Sequence, residues 1–273
     1  CGFKRHRGRR LSFVSLSMRF STSITTMFRE WPSLERPARA KAAGFNAIEI
    51  QILDVPAREM AKVAKDASVE VVLLNAGMGD LREGGPGLSG VPGRERAFAE
   101  EIARTLDNAA ILGCKQVHAG PSRLASGAAR ADALKTYREN LLAASERASK
   151  AGIRLLIEPI NPVDLPDALL SDIREGAQLI RDHLKGHIGL QFDIYHVAMC
   201  GDDVAGAFAD VMDVVEHIQF SDIPGRVEPG AGTLDFASIF EAIEGLHYRG
   251  WFGAEYTPRK PTLESLGWLK QFG

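Results

Sequence analysis

The chain has 273 residues, of which 45% are hydrophobic and 25% charged, a composition that favours a globular protein and excludes disordered, collagen-like and coiled-coil chains. No apolar run approaches the roughly 20 residues that a membrane helix needs, so we expect no membrane partner. The three cysteines are too few and too scattered for a disulfide framework or a zinc cluster. We therefore expect a reducing compartment, the cytoplasm, and interpret Cys200 as a small buried residue.

The net charge of −2 is unevenly distributed along the chain. Residues 1–17 carry five basic and no acidic side chains, whereas the remainder carries 28 basic and 35 acidic ones. The basic segment has the composition of a transit peptide, but we interpret it as a leader or an added tail without fixed structure. The acidic remainder, residues 18–273, is expected to form one domain with no nucleic-acid partner.

Short apolar runs alternate with helical periodicity eight times after residue 18. The predicted strands are Arg19–Ile24, Ala47–Ile50, Val69–Asn75, Gln116–His118, Arg154–Glu158, Ile188–Asp193, Val215–Phe220 and Trp251–Glu255. The predicted helices are Leu34–Ala43, Ala57–Ala67, Arg94–Leu112, Ala131–Ala151, Ile173–Leu184, Val204–Met212, Phe236–Glu244 and Thr262–Gln271. Eight strand–helix units in about 250 residues predict an α/β fold, a single-domain (β/α)8 TIM barrel.

A doubly wound open sheet is the alternative fold. It would place a glycine-rich phosphate loop after the first strand, and Ser21–Phe28 contains no glycine. The glycine-rich segment Ala76–Gly93 is longer than the usual connection, and it is either an active-site lid or a surface loop.

Four consecutive later strands carry an oxygen-bearing side chain at or near their ends: Glu158, Asp193, Gln219 and Glu255. In a TIM barrel these ends meet at one face, so the four side chains are expected to converge. Three carboxylates brought together repel one another unless they take up protons or hold a cation. Oxygen ligands suit Mg²⁺ or Mn²⁺ better than zinc, so a divalent metal site is predicted.

Three further residues lie close to this predicted site. His196 follows Asp193 by three residues and is either a donor to a substrate oxygen or a structural histidine. Arg226 either binds a substrate carboxylate through its planar guanidinium or forms a surface ion pair with Glu228. His118 ends the fourth strand and faces the cleft, and we interpret it as structural because no partner is evident.

At these residues the sequence resembles the hydroxypyruvate isomerase family, within the xylose isomerase-like TIM barrels. The matching segments are Met18–Ser21, Leu156–Asn161, Gln191–His196, His217–Asp222, Glu228–Gly232 and Ala254–Pro258. The similarity extends over residues 18–270. It includes Gln219 at the position where the related ketose epimerases carry a histidine ligand.

The resemblance implies a metal site and a catalytic pair. Glu158, Asp193, Gln219 and Glu255 would bind the metal, and Glu158 and Glu255 would also be the acid/base groups of an aldose–ketose isomerisation.

By likeness to the epimerases, Asp164, His196 and Arg226 would face the substrate. Asp164 departs from the longer glutamate that those enzymes often carry. Leu81 departs from the tryptophan that often follows the equivalent of Gly79-Asp80 in close relatives, so the shape of the pocket is expected to differ.

The predicted reaction interconverts hydroxypyruvate and 2-hydroxy-3-oxopropanoate (tartronate semialdehyde) by enediolate proton transfer between two glutamates. It requires a divalent metal as Lewis acid and no nicotinamide or flavin, and its substrate is a small 2-oxo or 2-hydroxy sugar acid. The nearest alternative is a 2-oxotetronate isomerase or a related sugar-acid isomerase or epimerase with the same site. The sequence leaves open whether the chain forms a homo-oligomer.

Three other functions fit the sequence less well. Gln219 disfavours a ketose 3-epimerase. An apurinic endonuclease would need many histidines and a basic groove, whereas the chain has seven histidines and an acidic body. A non-catalytic sugar-binding barrel would not require all four metal positions.

Overall fold

The structure, a computed structural model, describes residues 18–273 and shows a closed barrel of eight parallel strands in chain order. The strands are β1 (Arg19–Ser23), β2 (Ala47–Ile50), β3 (Glu70–Asn75), β4 (Gln116–His118), β5 (Arg154–Ile157), β6 (Ile188–Asp193), β7 (Val215–Phe220) and β8 (Trp251–Ala254). The eighth strand pairs with the first and closes the barrel. The predicted single-domain TIM barrel is confirmed, while the prediction for residues 1–17 lies outside the described residues.

The helices surround the barrel and follow the predicted pattern closely. They are α1 (Arg36–Ala42), α2 (Ala57–Asp66), α3 (Glu95–Leu112), α4 (Arg130–Lys150), α5 (Ile173–Leu179), α6 (Ile194–Met199), α7 (Val204–Val211), α8 (Phe236–Gly245) and α9 (Leu269–Phe272). The helix α2 shows the usual reason for this arrangement, since Met60 and Ala64 are buried on one face while Glu59 is exposed on the other. No helix within residues 18–273 is long and apolar enough to cross a membrane.

Two helical predictions need correction, and one short helix was missed. The predicted helix Ile173–Leu184 continues beyond α5 as a π turn over Ile180–Leu184. The predicted helix Thr262–Gln271 is a 3₁₀ helix over Thr262–Trp268 followed by α9, because the backbone at Leu266 is not helical. The short helix α6 was not predicted.

Aromatic side chains fill the space between the last strands and the outer helices. Trp268 packs edge-on against Phe20 of β1 and Phe220 of β7, with ring centroids 5.3 Å and 5.1 Å apart. Phe240 of α8 packs against Phe252 of β8 at 5.5 Å. Since side chains alternate along a strand, these outward aromatic residues leave their neighbours pointing into the barrel.

The register of the strands determines where the predicted site residues lie along the barrel axis. Asp193 pairs with Gln219, and Gln219 pairs with Gly253. Glu158 and Glu255 are the first residues after β5 and β8, so each of these two strands ends one residue earlier than predicted. The four side chains thus start from the carboxyl ends of adjacent strands.

The long connection Ala76–Gly93 packs onto the segment that follows β5. Leu81 lies in a small buried cluster with Ile160 and Leu165. Asp80 accepts hydrogen bonds from the backbone of Gly87 at 3.0 Å and from Arg94 at 2.8 Å, which holds the loop closed on itself. This connection therefore covers part of the carboxyl-end face of the barrel.

The prediction for Cys200 is wrong. Cys200 is exposed because it caps the end of α6, where the chain turns outward into the exposed Gly201. Cys114, in contrast, is buried, and burial raises the pKa of its thiol to about 12.

Candidate active site

Two of the predicted ligands meet a histidine at the centre of the site. Glu158, Asp193 and His196 are buried, and each offers a ligand atom within 4.8 Å of the others. Asp193 also caps α6 by accepting from the backbone of Tyr195 at 2.9 Å, so the same carboxylate starts the helix that presents His196. The Oε1 atom of Glu158 is buried and has no hydrogen-bond partner among residues 18–273, which leaves it available to a ligand.

Arg226 connects the third carboxylate, that of Glu255, to this group. Its Nη2 donates to Oε2 of Glu255 at 2.7 Å and to Oδ2 of Asp193 at 3.1 Å. The guanidinium also lies over the ring of Tyr195, 5.0 Å from its centroid. The alternative surface pair with Glu228 is not formed, since Glu228 accepts instead from the backbone of Arg259.

The loop that carries Arg226 is organised by one buried aspartate, Asp222. Its two carboxylate oxygens accept from five backbone N–H groups, those of Ile223, Gly230, Gly232, Thr233 and Leu234. A Cβ at Gly232 would lie 2.2 Å from the carbonyl oxygen of Ile223, so only glycine fits there. Asp222 fixes the loop that positions Arg226, and sequence analysis assigned it no role.

The tautomer of His196 follows from its hydrogen bond to Asn161. Oδ1 of Asn161 accepts from the backbone N–H groups of Val163 and Asp164 at 3.0 Å and 2.9 Å, which identifies the other amide atom as Nδ2. That Nδ2 lies 2.7 Å from Nδ1 of His196, so Nδ1 accepts and the ring proton is on Nε2. Nε2 lies 3.5 Å from Oδ2 of Asp193 and thus faces the carboxylate group.

Asp164 lies at the exposed entrance of the site. It accepts from the hydroxyl of Tyr195 at 3.3 Å and from Nδ2 of Asn161 at 3.2 Å. It is therefore linked to His196 through Asn161, not by direct contact.

Gln219 is held from below by a carboxylate that sequence analysis missed. Its Nε2 donates to Oε2 of Glu49 at 2.7 Å, and its Oε1 accepts from Gln191 at 2.6 Å. Glu49 is completely buried inside the barrel. The available signal was a lone acidic residue in the middle of the apolar strand Ala47–Ile50.

Burial and mutual repulsion raise the pKa values of the carboxyl groups. Burial raises the pKa of Glu158 well above its usual value, and the charges of Asp193 and Glu255 raise it further. Burial also raises the pKa of Asp193, and it raises that of Glu255 to about 7 although Arg226 opposes it. The carboxyl group of Glu255 is thus poised to take up a proton or a cation near neutral pH, and the raised pKa values of Glu158 and Asp193 favour the same uptake.

The basic groups respond in the opposite way. Burial and the nearby charge of Arg226 lower the pKa of His196 well below its usual value, so its ring is neutral. Burial lowers the pKa of His118 to about 4, and its Nε2 lies 3.8 Å from Glu158. Burial alone would lower the pKa of Arg226, but the carboxylates of Glu255 and Asp193 raise it, so the guanidinium stays charged.

The sequence matches the family model described as xylose isomerase-like TIM barrel over residues 37–272. The chain belongs to this family. It is 35% identical over 255 residues to the 2-oxo-tetronate isomerase of Cupriavidus necator, covering 93% of the chain and 98% of that protein. It is 32% identical over 256 residues to the hydroxypyruvate isomerase of Escherichia coli, covering 93% and 99%. The predicted membership of the hydroxypyruvate isomerase group is confirmed, and with it the assignment to the isomerases.

A solved structure of the same architecture carries a different name. The AP endonuclease, family 2, from Brucella melitensis superposes with a TM-score of 0.89 and 30% sequence identity, over 93% of this chain and 99% of that one.

Proposed function

We propose that the protein is a metal-dependent isomerase of a small 2-oxo sugar acid, which moves a proton between adjacent carbons through an enediolate. The observation that supports this most directly is the placement of Glu158 and Glu255. Both follow strand ends of the barrel, Glu158 is buried and Glu255 nearly so, and both have raised pKa values. A carboxyl group whose pKa is raised in this way can both take and return a proton, as an isomerisation requires.

The donor set fits a hard divalent cation such as Mg²⁺ or Mn²⁺. Ligand atoms of Glu158, Asp193 and His196 lie within 4.8 Å of one another, and a buried oxygen of Glu158 has no partner within the described part of the chain. Glu158, Asp193, Gln219 and Glu255 would hold the ion, since carboxylate and amide oxygens are preferred by these cations. When bound, the metal supplies Lewis acidity that makes the C–H between a carbonyl and a hydroxyl group more acidic.

The protein's own residues would then transfer the protons and bind the substrate. One of Glu158 and Glu255 takes the proton from C3 of the substrate, and the other returns one at C2. His196, neutral and protonated on Nε2, donates a hydrogen bond to a substrate oxygen. The hydrogen bonds of Arg226 to described residues use Nε and Nη2, which leaves Nη1 for the substrate carboxylate. Asp164 would contact the end of the substrate nearest the entrance.

Hydroxypyruvate is the substrate that we propose, with tartronate semialdehyde as product, and 2-oxotetronate is the second candidate. Both choices rest on the names of the relatives, and the two acids share the reacting carbonyl and hydroxyl groups. The endonuclease name of the Brucella protein is not carried over. The central group contains only one histidine, and the remainder of the chain after residue 17 has 28 basic against 35 acidic side chains, which disfavours binding to a phosphate backbone.

The test compares the two acids directly. Protein stripped with EDTA would be assayed with hydroxypyruvate and with 2-oxotetronate, with and without Mn²⁺, and kcat/KM would be compared. We expect metal-dependent turnover, with Glu158→Gln and Glu255→Gln at least about 1,000-fold slower than the wild type because each removes a proton-transfer group. Glu70→Gln, at the exposed opposite end of β3, is the matched control. Turnover of neither acid would contradict the proposal.

A further inference from the structure

We infer that Glu49 is a positioning residue that fixes the amide of Gln219 with its oxygen available to the metal. The inference rests on the proposed metal site, and it concerns a buried carboxylate whose one hydrogen bond to the four proposed ligands is the bond to Gln219. An amide has one oxygen and one NH₂ group, and only the oxygen can bind a cation. A glutamine ligand therefore needs something to determine which end faces the ion.

Glu49 determines the orientation of the amide by accepting its NH₂ group. The Nε2 of Gln219 lies 2.7 Å from Oε2 of Glu49. Rotating the amide by 180° would bring two acceptor oxygens to that distance and turn the NH₂ group toward Nε2 of Gln191, which now donates to the oxygen. Such a contact between two acceptors inside the barrel is strongly unfavourable, so a single orientation is populated.

Glu49 is itself held in place by two donors on its other oxygen. The hydroxyl of Ser21 lies 2.6 Å from Oε1 of Glu49, and Nε2 of His217 lies 2.8 Å from the same atom. All of these side chains are fully buried or nearly so, and they come from three different strands of the barrel. The carboxylate therefore cannot turn away from Gln219 without losing charge-assisted hydrogen bonds.

The eighth strand leaves room for this carboxylate. Gly253 pairs with Gln219 in the barrel, and a Cβ at this position would lie 1.8 Å from Oε1 of Glu49. Its backbone is not in the left-handed region, so the absence of a side chain is explained by the close approach of Glu49 alone.

The resulting chain of hydrogen bonds also polarises the ligand. Glu49 attracts the NH₂ group of Gln219, and Gln191 donates to the oxygen of Gln219 at 2.6 Å, using one of its two lone pairs. The bond from the NH₂ group to Glu49 raises the electron density on the amide oxygen, which strengthens its second lone pair as a ligand although the bond from Gln191 draws some density away. Carboxylates that orient metal-binding histidines have the same effect on their ligands.

The test is a double-mutant cycle read out by metal binding, without substrate. Mn²⁺ affinity would be measured by isothermal titration calorimetry for the wild type, Glu49→Gln, Gln219→Ala and the double variant. We expect Glu49→Gln to weaken Mn²⁺ binding by about ten- to a hundredfold in the wild-type background. In the Gln219→Ala background the same change should have almost no effect, because the residue that Glu49 positions is absent. Glu59→Gln, on the exposed face of α2, controls for the loss of one negative charge.

Three outcomes would overturn the inference, and they differ from one another. Wild-type affinity in Glu49→Gln would show that Gln219 needs no positioning. An equal loss in both backgrounds would show that Glu49 acts by its charge and not through the amide. A wild-type protein that does not bind Mn²⁺ would overturn the proposed metal site and this inference with it.

A measurement on the wild type covers the case in which Glu49→Gln does not fold. In protein labelled at glutamine, addition of Mg²⁺ should shift the side-chain carbonyl carbon of Gln219, while its NH₂ protons stay protected from exchange. Loss of that protection on addition of Mg²⁺ would show that the amide does not keep its bond to Glu49, contrary to the inference.

Discussion

Asn161 donates to Nδ1 of His196 across 2.7 Å, and this hydrogen bond determines which nitrogen of the histidine carries the proton. Two backbone N–H groups fix the amide of Asn161 in the loop after β5. The amide in turn fixes the ring of His196 in α6. The result is a neutral donor, Nε2–H, next to the carboxylates.

Replacing Asn161 with Asp should change this tautomer while keeping the backbone hydrogen bonds. An aspartate accepts at both oxygens, so it would draw the proton to Nδ1 or favour a charged ring. We expect kcat/KM to fall by about ten- to a hundredfold if Nε2–H donates to the substrate. The ¹⁵N chemical shifts of His196 would report the change directly. Asn46→Asp on the surface is the matched control, and wild-type shifts in Asn161→Asp would contradict the assignment.

Metal affinity should depend on pH through Glu255. Burial raises the pKa of this carboxyl group to about 7, and a cation can replace its proton only when that proton leaves. Mn²⁺ affinity should therefore be highest above pH 7 and fall as the pH drops below it, by at most about tenfold per pH unit for this group. In Glu255→Gln the affinity should be lower, and its fall between pH 7.5 and 6 should be smaller. An equally steep fall in this variant would assign the proton to another group.

Arg226 should matter mainly for substrate binding. Replacing it with Ala removes the group proposed to hold the substrate carboxylate, so KM should rise by about tenfold or more, with a smaller effect on kcat. Arg226→Lys should restore KM only in part, since an ammonium cannot donate in the planar geometry of a guanidinium. Arg249→Ala, at the other end of the barrel, is the control. An unchanged KM in Arg226→Ala would exclude this role.

Asp222 should be important for stability. Replacing it with Ala leaves five backbone N–H groups without their acceptor, which should lower the free energy of unfolding by about 3 kcal/mol. The comparison is Asp235→Ala, which removes the cap of α8 and should cost about 1 kcal/mol. Chemical denaturation would measure both values. Equal losses would show that Asp222 acts as an ordinary cap.

The sequence predicted the parts of this site that follow from strand periodicity. Glu158 and Asp193 could be placed because each ends an apolar strand, and the ends of parallel strands in a barrel converge. The partners of Arg226 could not be predicted in this way. Arg226 contacts Asp193 and Glu255, which come from distant parts of the chain, whereas the nearby acids in the sequence are Asp222 and Glu228.

Contacts inside the barrel were the other part that sequence could not predict. The bond between Glu49 and His217 joins residues 168 positions apart, and neither residue alone indicates it. The exposure of Cys200 likewise depends on α6, a short helix that begins because Asp193 caps it. In both cases the outcome depends on how distant segments pack, which periodicity does not specify.

The most direct test of the proposed proton transfer is deuterium incorporation during turnover. Hydroxypyruvate in D₂O with the EDTA-stripped enzyme and added Mn²⁺ would be followed by NMR. Proton transfer by the two glutamates predicts metal-dependent deuterium at C2 of tartronate semialdehyde and exchange at C3 of hydroxypyruvate. The variant that lacks the C3 base, Glu158→Gln or Glu255→Gln, should lose both signals, and the other variant should retain only exchange at C3. Exchange and product formation at wild-type rates in both variants would contradict proton transfer between the two glutamates.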